Sequence, residues 1–150
     1  MKNEDALMEM IGETGDTFQS IVDNVLKKLF PVEESEDGGT CIVDLAIKEY
    51  NSKIRLVISL ANFCGVEVST VIKTNVTQRL TGQMLYSILA YGNEDGEKNG
   101  GLYIDESDAL FYRNFYPIRG LNVSDFIFAL RRFATDAFEL NRFANNLNSQ

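Results

Sequence analysis

The stretch CIVDLAIKEYNSKIRLVISLANF, residues 41–63, decides the fold. Successive side chains of a strand point to opposite faces, so alternation of apolar and polar residues marks a half-buried strand. Cys41, Val43, Leu45 and Ile47 alternate with Ile42, Asp44 and Ala46, and Ile54, Leu56, Ile58 and Leu60 alternate with Arg55, Val57 and Ser59. Taking Asn51-Ser52 as a two-residue turn puts Tyr50 opposite Lys53, Val43 opposite Leu60, Leu45 opposite Ile58 and Ile47 opposite Leu56. One face of this hairpin is then purely aliphatic, and the other carries Asp44, Lys48, Arg55 and Ser59 with Ala46 and Val57. A slip of one residue would destroy that sorting. The same register makes Cys41 and Cys64 same-face diagonal neighbours at roughly 7–8 Å, marginal for a disulfide.

Working outward, VEVSTVIKT (66–74) reads as a third strand after a turn at Cys64-Gly65, with Val66, Val68 and Ile72 on one face. Upstream, Phe18, Ile21, Val22, Val25, Leu26, Leu29 and Phe30 keep helical spacing. Asp16 with Gln19 reads as the opening cap of that helix, and Pro31 closes it. VEESEDGGT (32–40) reads as an acidic loop, and residues 1–16 as a flexible arm ahead of a single domain, 17–150. Downstream, Leu80, Met84, Leu85, Ile88 and Leu89 form the apolar stripe of a helix beginning near Thr77, and the loop GNEDGEKNGG (92–101) stops it. GLYIDE (101–106), a turn at Ser107-Asp108 and ALFYRNFYPI (109–118) make a second hairpin, with Tyr103 opposite Tyr112. Asn122 or Ser124 caps a final helix whose stripe includes Phe126, Leu130, Phe133, Ala137 and Leu140. The order is α-βββ-α-ββ-α: an α+β domain, an antiparallel sheet with helices packed on it.

The 150 residues carry 14 Lys plus Arg against 22 Asp plus Glu, a net charge of −8. Nucleic-acid binding needs clustered cations, and the basic residues come only as pairs or singles, so no nucleic-acid partner is expected. No segment is long and apolar enough for a membrane span, and MKNEDALMEMIGETGDT has no signal-peptide run. A cytoplasmic protein with reduced thiols is the expectation.

The chain has no histidine. That removes Ser-His-Asp and Cys-His nucleophile activation and His-ligated zinc. No G-x-x-x-x-G-K-[ST], G-x-G-x-x-G or G-x-S-x-G motif occurs. Glu33, Ser35, Asp37, Gly38 and Asp44 fall at calcium-loop spacing, but the residues beyond Asp44 read as strand where an EF-hand needs a helix. Asp105, Glu106 and Asp108 sit at a hairpin turn, where acids serve the local backbone. Cys41 and Cys64 lack the cations that would depress a thiol pKa. No catalytic group, metal or cofactor is expected.

The aromatic strand ALFYRNFYPI raises its own question, because Phe111 and Phe115 face one way and Tyr112 and Tyr116 the other. In one reading a face joins the core and the tyrosines stand on a solvated surface. In the other, Tyr112, Tyr116 and Tyr103 form an apolar patch that marks a partner contact.

The element order, together with MLYSILAYGNEDGEKNGGLYIDESDALFYRNFYPIRGLNVSDFIFALRRF (84–133), resembles the class I type III secretion chaperone fold, and within it the YbjN-like family. The resemblance implies a non-catalytic homodimer holding a segment of a client or regulatory protein on apolar patches. Under it, Phe18, Val22, Tyr103, Tyr112 and Tyr116 are the expected partner contacts. Met84, Leu85, Ile88 and Leu89 are the expected dimer contacts. Alternatives are a dimeric regulatory scaffold of roadblock-like type, with two strands before the middle helix and three after it, and an enzyme of unassigned class.

Overall fold

The computed structural model describes residues 17–36, 38–61, 65–93, 101–117 and 122–147. Helix α1 (17–29) leads into strands β1 (Val32–Glu34), β2 (Thr40–Ile47), β3 (Ser52–Ala61) and β4 (Gly65–Lys73). Helices α2 (Val76–Arg79) and α3 (Gly82–Asn93) come next, then β5 (Gly101–Ile104), β6 (Leu110–Pro117) and α4 (Val123–Leu147). All six strands join one antiparallel sheet in the order β1-β2-β3-β4-β6-β5. The α+β class and the helix-covered antiparallel sheet are as the patterning predicts. Four strands precede the middle helices and two come after them, which is not the two-then-three order of a roadblock-like scaffold.

The first hairpin keeps its face sorting but not its expected partners. Val43 pairs with Leu56, Leu45 with Ile54 and Ile47 with Ser52. Lys48–Tyr50 form a 3-10 turn and Asn51 takes a left-handed conformation (φ 49°), so four residues rather than two make the connection. Each partner moves by four positions, an even number, and the aliphatic face survives intact. Cys64 lies outside the described residues, and Cys41 pairs with Ile58.

The acidic segment also departs from expectation. Val32–Glu34 forms an edge strand on β2, with Val32 opposite Val43. In α1, Phe18, Val22, Leu26 and then Phe30 are buried at a strict four-residue spacing. An α-helix has about 3.6 residues per turn, so that spacing would drift off one face. A π-turn at Val22–Leu26, with its wider i→i+5 bonding, absorbs the drift. Asp16 lies outside the described residues, and Gln19 Nε2 donates to Asp23 (3.2 Å) and to Glu34 (2.9 Å).

The single helix expected from Thr77 is broken in two. Leu80 is extended (φ −121°, ψ 136°), and the Thr81 hydroxyl oxygen accepts from Met84 N–H (3.1 Å), opening α3 with its own cap. Asn122 opens α4, its Oδ1 accepting from Ser124 N–H (2.8 Å) and Asp125 N–H (3.4 Å). Helix α4 lies against β2, β3, β4 and β6 and beside α3. Its Phe126, Leu130, Phe133, Ala134, Ala137, Leu140 and Ala144 are buried in one core with α1 and the aliphatic sheet face.

Gly65 opens β4 opposite Pro117. A Cβ there would lie 2.5 Å from the Tyr116 carbonyl oxygen and 2.6 Å from the Phe115 ring, so backbone would have to move. Gly65→Ala is expected to cost about 1–3 kcal/mol by overpacking. Urea denaturation would read this as a lower midpoint, while Gly101→Ala, with no neighbour within 4 Å, leaves the midpoint in place.

Candidate functional site

Alternation gives the sheet two unlike faces. The inner face, from Cys41, Val43, Leu45 and Ile47 through Leu56 and Ile58 to Val66, Val68, Leu110 and Tyr112, is buried in the core. The outer face carries Ile42, Asp44, Arg55, Val57, Glu67, Ser69, Val71, Phe111, Arg113, Phe115 and Tyr103, of which none is buried. Val71 and Phe115 are exposed large apolar groups there. The β5–β6 side of this face is aromatic: Tyr103 stacks on Phe111 (5.1 Å between centroids), and the Arg113 guanidinium lies 4.2 Å from the Tyr103 ring centre. Arg113 also pairs with Glu67 (3.3 Å). The β1–β3 side is ionic, with Arg55 between Asp44 (3.1 Å) and Glu33 (3.5 Å). Such exposed pairs add little stability; here they fix which part of the face is apolar.

The structure does not bring the expected contact residues together. Tyr112 is 1% exposed, points into the core and stacks on Phe133 (4.8 Å). Tyr116 is half-buried on the same side, edge-on to Phe126 (6.0 Å). Tyr103 is on the opposite face, because it pairs with Phe111 and not with Tyr112. The reason is one extra residue in the turn. Asp108 adopts a left-handed conformation (φ 63°), while Asp105 closes the turn by accepting from Ser107 N–H (3.0 Å), Ser107 Oγ (2.6 Å) and Ala109 N–H (3.2 Å). An odd shift exchanges the face of a partner. Phe18 and Val22 are core residues, 3% and 1% exposed, since they belong to the part of the α1 stripe that is buried in the core, whereas Leu29 stays exposed. These four residues therefore do not form a surface patch in this conformation; Tyr103 does stand on the open face.

On α3, Ile88 is fully buried, Met84 and Leu85 are half-buried, and Leu89 is 37% exposed. Sequence reasoning passed over Tyr86, which is 72% exposed on the other side of the stripe. It also passed over Val71, Phe111 and Phe115 as surface residues. Local alternation identifies two sets on a strand but not which set faces the helices.

The acids of the turn serve the backbone, as expected. The Asp108 carboxylate accepts from Thr77 N–H (3.1 Å) and Thr77 Oγ1 (2.8 Å), tying the hairpin to α2. The Ser107 hydroxyl holds the Asp105 carboxyl below its usual pKa. Glu33 and Asp44 are both committed to Arg55, and Asp37 lies outside the described residues. Among the described residues no three His, Cys, Asp or Glu side chains are grouped to hold a metal ion. No described helix is long and apolar enough to cross a membrane. Cys41 is buried, and burial, then the charge of Glu34, pushes its thiol up to about 11.

Tyr112→Ala should remove about 3–5 kcal/mol of folding stability, whereas Tyr86→Ala should change it by less than about 0.5 kcal/mol; paired urea titrations measure both. In a Cys64→Ser background at pH 8, Cys41 should react with a disulfide reagent only slowly in the native protein. Reaction should become fast once denaturant exposes the thiol.

No protein-family model matches the sequence, and no curated protein matches it. Among solved structures, a chain of the HopA1–SchA chaperone–effector complex superposes with a TM-score of 0.51 at 17% identity, over 83% of this chain and 92% of that one. At that identity the likeness concerns the fold alone: the two chains share an α+β architecture.

Proposed function

We propose that this protein is a non-catalytic, cytoplasmic protein-binding module of secretion-chaperone or YbjN-like type, which holds an extended segment of a client or regulatory protein. The observation that carries the reading is the one-sided sheet. Helices cover one face, while the other presents Val71, Phe111, Phe115 and Tyr103 beside polar groups. An apolar area rimmed by polar residues suits a partner contact. Strands β1 and β5 end the sheet on either side, and each offers an edge to which an extended peptide can add main-chain hydrogen bonds. The superposition on a chain of a chaperone–effector complex supports the same reading at the level of fold.

We further propose a homodimer through α3, where Tyr86 and Leu89 are exposed beside the half-buried Met84 and Leu85. A second copy related by a twofold axis would cover that strip with its own. Ile88 stays within the protomer and supports the helix from below.

The test is affinity capture from the native cell, with partners identified by mass. Wild-type protein should recover a defined partner, and Val71→Asp with Phe115→Asp should lose at least about nine-tenths of it, equivalent to about 1.4 kcal/mol. Equal recovery by both proteins would overturn the open face as the contact. For the dimer, light scattering should give twice 16.9 kDa, reverting to the monomer mass in Tyr86→Asp plus Leu89→Asp. A monomeric wild type would refute it.

A further inference from the structure

The ladder between β3 and β4 covers only part of each strand. It runs from Ala61 opposite Gly65 to Val57 opposite Ser69, and there it stops. Strand β3 nevertheless continues along β2 back to Ser52, and β4 continues along β6 to Lys73. Between the parted lengths is a cleft of about 490 Å³ whose lining includes Phe138 and Asn141 of α4.

One side-chain bond crosses the gap and another ties α4 to β4 beside it. The Thr70 hydroxyl donates to the Arg55 carbonyl (2.9 Å), and Asn141 Nδ2 donates to the Ile72 carbonyl (2.9 Å). The cleft is thus held by specific bonds and is not a fault in the packing. Along an antiparallel strand, alternate residues direct their N–H and C=O groups to the same side. Since the Arg55 carbonyl faces β4, the main-chain groups of Lys53 face the cleft as well. Ile54 and Phe138 supply apolar surface within it, and Val71 and Phe111 flank it on the open sheet face. The two cations in the lining differ. Arg55 is neutralised by Asp44 and Glu33, whereas among the described residues Lys53 has no carboxylate within ion-pair distance.

We infer that this cleft receives a short extended peptide, which sets one large apolar side chain against Ile54 and Phe138 and an acidic side chain beside Lys53. The inference rests on the protein-binding reading above and names the chemistry of what is bound. The volume falls within the range of ligand-binding pockets, roughly 300–1,000 Å³. An ammonium with no carboxylate partner among the described residues favours an anionic group at that point. Main-chain groups along the wall favour a peptide over an acyl carboxylate, because only the peptide carries amides to pair with them.

Isotope-labelled full-length protein can be titrated with the peptide Ac-TVFDVT-NH2 and monitored by amide chemical shifts. The expected result is saturable perturbation centred on residues 53–55 and 70–72. Ac-TVFKVT-NH2 and Ac-TVADVT-NH2 should each bind at least about tenfold more weakly. Lys53→Glu alters an exposed side chain, so folding is not at issue, and it should reverse the preference between the Asp and Lys peptides. Perturbations that avoid those amides, octanoate binding as well as the first peptide, or an unchanged order in Lys53→Glu would each overturn the inference. Failure here with capture still lost in Val71→Asp plus Phe115→Asp would leave the protein-binding reading standing. Peptide binding as expected with no partner captured would remove that broader reading and keep the cleft.

Discussion

Everything else in the molecule depends on the seating of α4 across the aliphatic face of the sheet. The helix has 25 residues, and its small Ala134, Ala137 and Ala144 alternate with Leu130, Phe133 and Leu140 in the core. Small residues let the helix backbone approach the strands, and the large ones fill the spaces between Val43, Leu56, Val68 and Tyr112. Burial of that surface is the main source of stability in a domain of this size. Helix α1 shares the same core through Phe18, Val22 and Leu26.

Committing the helices to one face leaves the other to solvent, and the sequence accommodates this. Arg55, Glu33 and Asp44 occupy the outer side of β1–β3, while Arg113 and Glu67 bracket the rings of Tyr103 and Phe111. Phe115 lies over Gly65, covering a position where no side chain fits. The face is therefore mixed, with charged pairs that keep the sheet from stacking blindly beside exposed ring surface. Strands β3 and β4 part beside this face, while on the covered side Thr70 bonds to β3 and Asn141 of α4 bonds to β4.

The chain has no histidine, and its described cysteine is buried, with its thiol pushed up to about 11. Its turn acids are occupied in capping and loop closure. The described surface carries rings, a guanidinium over one of them, a lysine with no carboxylate partner among the described residues, and two sheet edges.

Periodicity in the sequence determined which residues share a face, that the sheet is antiparallel and that amphipathic helices cover it, because side-chain direction alternates strictly along a strand. Tertiary structure alone decided the partners across each hairpin and, in the aromatic strand β6, which face became the inside. In the first hairpin the turn at Lys48–Asn51 displaced every partner by an even number, so Val43 and Leu56 remained on the aliphatic side. In the second, a turn one residue longer, with Glu106 joining Ser107 and the left-handed Asp108, moved Tyr103 to the other face from Tyr112. Local pattern could not choose between the phenylalanines and tyrosines of β6, since both sets are large and apolar. Contact with Phe133 and Phe126 of α4, outside the strand itself, made that choice.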